Sequence, residues 1–208
     1  MKTIKHVLLI MLVLCGVTLS QVFAEEKEAG KGFAGKEYDL GISLGIWFPG
    51  NINIDSDLVA VDADKSSGLL VRAFADAYVA PKFAVGAYGN YSKATLKAGG
   101  LESDATFYEF GVAMKPRFLL SPTVALKPGL NIGYRNSTRE TIAGLDAADA
   151  DLSADGMGLN LSVELQIMIE GGYIFHIDGG FLSQPVGGTD DADVAWAPIM
   201  YLAAGITF

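Results

Sequence analysis

The chain has 208 residues, a formal net charge of −9 at pH 7 and 50% hydrophobic residues. This length suits one domain, and the acidic balance argues against nucleic acid and anionic lipid headgroups as partners. The single cysteine, Cys15, follows Leu14 near the N-terminus. Lipoprotein processing needs a small residue before the cysteine, so we do not expect lipidation. The rest of the chain has no cysteine with which to form a disulfide.

The N-terminal residues have the organisation of a secretory signal peptide. Lys2 and Lys5 precede the apolar run VLLIMLVLCGVTL, and the tripeptide VFA ends in a small residue that suits cleavage. The run is short for a helix that crosses a membrane. We therefore predict a cleaved signal peptide over residues 1–24, a short polar leader over residues 25–35, and one folded domain over residues 36–208.

The folded domain alternates apolar and other residues with a period of two, which is typical of β-strands with two unlike faces. In the first segment Leu40, Ile42 and Leu44 share one face, and Asp39 and Ser43 lie on the other. Eight such segments are predicted, at residues 37–48, 69–79, 83–91, 106–115, 124–135, 157–169, 173–183 and about 194–208.

The connections between these segments alternate in length. Three are tight, around residues 80–82, 119–122 and 170–172, and four are longer and polar, at about residues 49–66, 95–104, 136–155 and 184–193. An even number of short strands, with tight turns at one end and long loops at the other, is typical of an outer-membrane barrel. We predict an all-β fold, an eight-stranded antiparallel up-and-down transmembrane β-barrel.

The distribution of charge indicates which face points outward. A soluble eight-stranded barrel, such as a lipocalin, would keep its apolar face inside and its charged face in water. Here the mixed face is rich in glycine, which suits a narrow interior, and the apolar face then meets lipid. We predict that an ionic cluster fills the lumen, made of Asp39, Arg72, Asp76, Glu109, Lys115, Lys127, Arg135, Glu164, His176 and Asp178.

Aromatic residues lie near the ends of the predicted strands, with aliphatic residues between them. Tyr134 and Trp196 are predicted at the rim on the side of the long loops, and Phe118, Phe175 and Phe208 at the opposite rim. Two aromatic belts around an aliphatic band are what anchoring at both membrane interfaces requires.

Two prolines conflict with a regular barrel. Pro128 and Pro198 fall inside predicted strands, where each removes one hydrogen-bond donor from the ladder. We therefore expect either bulges at these positions or strand limits that differ from those predicted.

These features together give the chain a resemblance to the outer-membrane β-barrel family that includes the OmpA transmembrane domain and OmpX. The signal peptide, the eight alternating segments and the final strand PIMYLAAGITF carry the resemblance over nearly all of residues 36–208. It implies export to the periplasm and insertion into the outer membrane as a monomer, among lipids that include lipopolysaccharide. It also implies that the barrel assembly machinery reads the C-terminal strand, with Phe208 and Ile206 as the assembly signal. Unlike OmpA, the chain is predicted to end with the barrel and to have no peptidoglycan-binding domain.

The function predicted for such a barrel depends on its lumen. Eight strands enclose a space that side chains fill, so an open pore is disfavoured. Near balance of positive and negative side chains suits internal ion pairs, with Tyr88, Asn90, Asn131 and Gln166 as further hydrogen-bonding groups. We predict a plugged lumen and a structural or surface-interaction role. The alternative is a narrow or gated channel for ions or small apolar solutes.

His176 is the single histidine of the mature chain and the natural candidate for catalysis. Some small barrels that this chain resembles modify lipid A with a histidine and a serine or acidic partner near the outer leaflet. His176 instead lies about five residues from the predicted turn at residues 170–172 and faces inward. We predict that it pairs with a carboxylate in the lumen. The chain is therefore not expected to be an enzyme or to hold a cofactor or metal.

The predicted loops carry most of the remaining acid. Their carboxylates are Asp55, Asp57, Asp62, Asp64, Asp146, Asp149, Asp151, Asp155, Asp190, Asp191 and Asp193. The stretch DADKSSG has only a weak likeness to a calcium loop, because Ala73 stands where an EF-hand needs glutamate. Such carboxylates are ordinarily just solvated. A weaker hypothesis is that they share divalent cations with lipopolysaccharide phosphates or bind a surface ligand that the sequence does not name.

Overall fold

The computed structural model describes residues 33, 36–56, 60–98, 100–139, 153–169, 172–188 and 192–208. The predicted signal peptide lies outside these residues, and so does the predicted leader apart from Phe33. Within the described part of the chain, no helix is both long enough and apolar enough to cross a membrane.

The described chain is built almost wholly of strands, as its alternating, β-branched and aromatic sequence favours. The bounds are β1 Tyr38–Trp47, β2 Gly50–Ser56, β3 Ala60–Lys65, β4 Gly68–Ala80, β5 Phe83–Ala98, β6 Leu101–Pro116, β7 Phe118–Ser121, β8 Val124–Arg139, β9 Ser153–Met168, β10 Ile174–Gly188 and β11 Ala192–Thr207. All pairings between them are antiparallel.

Eight of these strands form a closed ring, in the order β1, β4, β5, β6, β8, β9, β10 and β11. The strand β11 closes the ring by pairing with β1. At this seam the backbones of Leu40 and Phe208 exchange two hydrogen bonds, of 3.2 and 2.8 Å. Closure pairs the backbone N–H and C=O groups that the edge strands of an open sheet would leave unpaired. The predicted eight-stranded up-and-down barrel is confirmed.

The barrel wall continues past the ring at one end. We call this the upper end. The lower end carries Phe208 and the tight turns at residues 81–82 and 122–123. The strands β2 and β3 form a hairpin whose outer edges pair with β11 and β5. The long polar connection predicted at residues 49–66 is present, but the prediction of a loop there is wrong because most of it is strand. Ile52 of β2 and Ala63 of β3 are buried, while Asn51 and Asp64 beside them are exposed, so the period of two continues here.

The predicted loop at residues 95–104 is also wrong. The strands β5 and β6 remain paired up to Ala98 and Leu101. They are joined by a tight turn in which Gly100 has a φ of +83°, a conformation that glycine adopts without the steric penalty of a side chain. The polar composition of this stretch reflects strands that extend above the ring rather than an irregular connection.

Pro128 and Pro198, the two prolines inside predicted strands, both lie where the hydrogen-bond ladder between strands is interrupted. Pro128 of β8 faces the break between β6 and β7, where pairing stops after Leu130 and resumes at Leu126. Pro198 of β11 lies where the register with β10 shifts, between Leu182 and Gln184 of β10. In each case the missing N–H falls at an irregularity rather than inside a continuous ladder. The expectation of local irregularity at these prolines is met.

The alternation gives the barrel an apolar outside and a polar inside. Ile42, Leu161 and Ile206 are about half exposed on the outer surface, whereas Arg72 and Glu164 are buried within. Exposed apolar side chains occur on every strand of the ring. A soluble monomer rarely exposes an apolar surface of this extent, but lipid accommodates it. The predicted orientation of the two faces is confirmed.

Candidate functional site in the barrel lumen

The ten residues predicted to line the lumen all lie inside the barrel, and none is more than 4% exposed. They are Asp39, Arg72, Asp76, Glu109, Lys115, Lys127, Arg135, Glu164, His176 and Asp178. Each of the nine charged members lies within ion-pair distance of an opposite charge. Pairing offsets the large desolvation cost of burying these charges.

The lower part of the lumen holds a chain of alternating charges. Lys127 Nζ lies 2.7 Å from Asp39 Oδ2 and 2.8 Å from Asp76 Oδ2. Lys115 Nζ lies 2.9 Å from the same oxygen of Asp76 and 3.5 Å from Glu164 Oε2. Each ammonium therefore bridges two carboxylates that come from different strands, and the cluster ties β1, β4, β6, β8 and β9 together across the lumen.

Further donors complete this lower cluster. Gln166 Nε2 donates to Asp39 at 3.1 Å and to Glu164 at 2.7 Å, and the Tyr78 hydroxyl donates to Asp39 at 2.7 Å. Just before β1, Lys36 lies 3.4 Å from Asp39. Burial lowers the pKa of Lys36, although Asp39 opposes that shift. The carboxylate of Asp39 is thus held by four groups.

A second group of residues surrounds Arg72. Its guanidinium pairs with Asp178 and contacts the hydroxyl of Tyr201, and its Nε donates to Asn90 Oδ1 at 3.0 Å. The Tyr201 hydroxyl also donates to the second oxygen of Asp178 at 2.9 Å. The arginine is therefore fixed in orientation by a carboxylate, an amide and a phenol.

A third group surrounds Arg135. Its guanidinium pairs with Glu109 and donates to Asn160 Oδ1 at 3.1 Å and to the Ser183 carbonyl at 2.9 Å. The Tyr88 hydroxyl donates to the other oxygen of Glu109. Of the four neutral groups predicted to assist the ion pairs, Tyr88, Asn90 and Gln166 bind charged partners; Asn131 binds Ser162 instead, at 3.4 Å.

The prediction that His176 pairs with a carboxylate is wrong. Its Nδ1 lies 2.8 Å from the Thr207 hydroxyl, and its ring packs at 5.5 Å from the Phe74 ring. Asp178, which shares its face of β10, binds Arg72 and Tyr201 instead. Alternation places His176 and Asp178 on the same face of β10. The side chains of the adjacent strands determine which partner each of them binds.

Residues that the sequence analysis did not single out close the lower mouth. Phe33, assigned to the leader, is 1% exposed and packs in a cluster with Ile174. Arg117, in the break between β6 and β7, stacks at 3.8 Å from the Tyr78 ring and donates to the Pro81 carbonyl at 2.8 Å. The sequence offered little signal for either residue, since Phe33 stands alone in a polar stretch and Arg117 lies at a strand break.

Above the arginines the lumen becomes apolar, and three aromatic rings lie next to one another there. The ring centroid of Trp47 lies 5.0 Å from that of Phe107 and 6.2 Å from that of Trp196, and Phe107 and Trp196 are 5.9 Å apart. The prediction that Trp196 lies in the lipid-facing belt is wrong, because it is only 3% exposed and faces inward. The register shift beside Pro198 reverses the alternation of β11, so even-numbered residues above it face the lumen.

One charged side chain of the described residues enters this apolar upper lumen. Lys65 of β3 is 1% exposed, and its Nζ lies 4.1 Å from the Trp47 ring centroid. It donates to the carbonyls of Ser66 at 2.7 Å and Trp47 at 3.4 Å. Burial lowers the pKa of Lys65 to about 8. Lys65 lies two positions after Ala63, so both side chains point inward on β3. This alternation was not recognised because residues 49–66 were predicted to be a loop.

Part of the predicted acidic surface is described. Asp55, Asp62, Asp64, Asp155 and Asp193 are exposed around the upper end. The other loop carboxylates, Asp57, Asp146, Asp149, Asp151, Asp190 and Asp191, lie outside the described residues. Among the residues that are described, no group of three or more His, Cys, Asp or Glu side chains is arranged to hold a metal ion.

The closed ring of eight antiparallel strands, its exposed apolar exterior and its ionic interior define the fold of a small outer-membrane β-barrel. Solved structures of this class are similar to this chain, and two of them are compared with it. Outer membrane protein OprG from Pseudomonas aeruginosa matches with a TM-score of 0.64 at 14% identity, over 86% of this chain and 98% of OprG. Neisserial surface protein A matches with a TM-score of 0.57 at 12% identity, over 82% of this chain and 95% of that protein.

The predicted resemblance is thus confirmed at the level of fold, and the predicted outer-membrane location agrees with that fold. No protein-family model matches the chain, and a comparison with curated proteins found no match. The similarity therefore shows the architecture of the chain and not its role.

Proposed function

We propose that this chain is a monomeric outer-membrane barrel with a structural role, a lumen closed to ions, and an acidic upper rim that faces the cell exterior. In this proposal the lower end, with the tight turns, faces the periplasm. Lipids, including lipopolysaccharide, surround the apolar belt. The barrel assembly machinery reads the final strand, with Phe208 and Ile206 as the signal.

The burial of the lumen charges is the observation that carries this proposal. Conduction needs water or a succession of exposed polar groups through the barrel. Here the charged lumen residues are at most 4% exposed and are engaged with one another. An ion would have to displace bridging contacts such as those of Lys127 with Asp39 and Asp76. The cluster is better suited to fixing the barrel cross-section than to passing solutes.

Single-channel recording in planar bilayers tests the closed lumen. We expect the refolded protein to give no steady conductance. A porin recorded under the same conditions provides the positive control, because its open lumen gives a steady conductance. Steady conductance of the barrel, in place of the flat baseline that we expect, would contradict the proposal.

The two alternative functions have weaker support. A channel for ions or small apolar solutes needs a continuous path, and the ionic cluster crosses the lumen below the aromatic rings. Modification of lipid A needs a catalytic group near the lipid. His176 is buried in the lumen, with Thr207 at its Nδ1. A non-enzymatic role therefore fits this geometry better.

The acidic rim supports a role in surface interaction. Asp55 of β2 stands directly opposite Asp193 of β11, and both side chains are exposed. Like charges in directly opposite positions destabilise a strand pair, so this arrangement gains nothing for the fold. We propose that the rim contacts a basic or cationic surface partner. Neutralising the pair with Asp55→Asn and Asp193→Asn should weaken adhesion to a polylysine-coated surface while the amount of folded barrel stays unchanged.

A further inference from the structure

We propose that the upper lumen binds a small organic monocarboxylate with an apolar body, held between Lys65 and the two tryptophans. This inference goes beyond the structural role and does not depend on whether the lumen conducts. It starts from hydrogen-bond donors that the fold buries without using.

Several donors of the upper lumen have no acceptor among the described residues. The indole Nε1 atoms of Trp47 and Trp196 are buried and unpaired, and so is the hydroxyl of Ser92. The Lys65 ammonium has three N–H groups, two of which reach backbone carbonyls. An unmade hydrogen bond of a buried donor costs about 1–3 kcal/mol, so an acceptor placed among these groups would bind favourably.

The charge of this region selects an anion. Below it, Arg135 is paired with Glu109 and Arg72 with Asp178, so the floor of the upper lumen is neutral. No described carboxylate lies within ion-pair distance of Lys65, whose ammonium is thus the unbalanced charge of this region. One ammonium matches one carboxylate, which accepts hydrogen bonds from several donors at once.

The walls select an apolar body. The two tryptophans belong to a buried apolar cluster that includes Ile52, Leu70, Leu96, Phe107, Leu182 and Ile199. Such walls offer few groups to hold ordered water at the unpaired donors. Aliphatic chains and aromatic rings both pack well against them. Gln184 contributes one unpaired acceptor, its Oε1, but this neutral oxygen does not balance the ammonium.

Intrinsic fluorescence gives a direct test, because Trp47 and Trp196 are the two tryptophans of the chain and both line the proposed site. The barrel in nanodiscs is titrated with hexanoate. Parallel titrations use hexan-1-ol and hexylamine, which have the same six-carbon chain but a neutral hydroxyl or a positive ammonium in place of the carboxylate. We expect a saturable change of tryptophan emission with hexanoate and at least tenfold weaker responses to the alcohol and the amine.

Matched variants separate the site from general effects on the bilayer. Lys65→Met should weaken hexanoate binding about tenfold, as expected for the loss of one charge-assisted contact, and Lys65→Arg should restore most of it. Lys97→Met, which removes an exposed lysine paired with Glu102, should leave binding unchanged. Equal responses to hexanoate and hexan-1-ol, an equal effect of Lys65→Met and Lys97→Met, or no saturable response would each overturn the proposal.

Discussion

At the scale of single residues, the lumen depends on a few ammonium groups that each serve two carboxylates. Lys127 is the clearest case, because it is fully buried between Asp39 and Asp76. We expect Lys127→Met to lower the free energy of unfolding by about 3–5 kcal/mol, since it leaves buried carboxylates without their partner. The measurement is the urea midpoint of the barrel in liposomes, followed by its shift in gel mobility.

The matched control for this variant is again Lys97→Met. That lysine forms an ion pair with Glu102 in which both side chains are more than half exposed, and exposed pairs contribute about 0–1 kcal/mol. We expect its midpoint to stay close to that of the unmodified barrel. Equal midpoints for the two variants would mean that burial of the lumen charges does not matter for stability.

Lys65 predicts a pH dependence at the same scale. Its pKa in the folded protein is lowered to about 8, from 10.5. Between these values the unfolded chain still binds a proton that the folded chain has released, so the free energy of unfolding rises as pH increases through this window. Below pH 8 the Lys65 ammonium is charged in both states, so the whole free-energy cost of burying it opposes folding. The difference in urea midpoint between the unmodified barrel and Lys65→Met should therefore change between pH 8 and 10.5. A difference that stays constant over this range would contradict a lowered pKa of Lys65.

The direction of each lumen side chain was predictable, but its partner was not. Alternation alone put Arg72 and Glu164 inside, because neighbouring residues of a strand point to opposite faces. The contact of His176 with Thr207 depends on the register of β10 against β11, which the pattern of one strand does not contain. Trp196 was misassigned because one bulge reverses every later position of its strand.

At the scale of elements, the backbones of β1 and β11 approach closely at the seam, so a small residue is needed there. A Cβ on Gly205 would overlap the carbonyl oxygen of Ile42 and the backbone of Ser43 on β1. We expect Gly205→Ala to lower the free energy of unfolding by about 1–3 kcal/mol through this overlap. The measurement is again urea unfolding in liposomes.

Gly179 of β10 provides the control for this effect. A Cβ there would lie 3.4 Å from Leu202 Cδ1 and 3.5 Å from the Tyr201 carbonyl oxygen, which are ordinary contacts. We expect Gly179→Ala to change stability by less than about 0.5 kcal/mol. If the two alanine variants unfold at the same urea concentration, close approach at the seam is not the reason for glycine at residue 205.

The eight membrane-crossing strands were predictable from sequence, and the upper extensions were not. Within the membrane the two faces meet lipid and a packed lumen, so the alternation of polarity is strong. Above the membrane both faces of β2 and β3 meet mixed surroundings. The outward residues Asn51, Asn53 and Asp62 are of types found in turns as well as in exposed strands. Composition there predicted a loop, whereas backbone pairing with β5 and β11 extends the wall.

At the scale of the whole molecule, assembly is predicted to depend on the final residue. The backbone of Phe208 is paired with Leu40, and its ring contacts Tyr173 at 6.1 Å between centroids. Phe208→Ser keeps the backbone bonds but removes the aromatic group of the proposed signal. We expect a several-fold lower amount of assembled barrel in cells, with little change in refolding of the purified protein.

Tyr173→Ser is the control for this prediction, because it removes the same ring contact without changing the C-terminus. The amounts of heat-modifiable barrel in outer-membrane fractions are compared by gel. A similar loss in both variants would assign the effect to the ring contact. A loss confined to Phe208→Ser supports a signal read by the assembly machinery.

The ion pairs across the lumen also constrain when the protein is able to fold. Lys127 binds Asp39, 88 positions earlier in the chain, and Arg72 binds Asp178, 106 positions later. Contacts between such distant positions slow folding, and the partner of Arg72 leaves the ribosome long after the arginine itself. A barrel that lacked its last strands would therefore expose unpaired charges beside apolar surface. We expect the chain to stay unfolded until β10 and β11 are available for pairing.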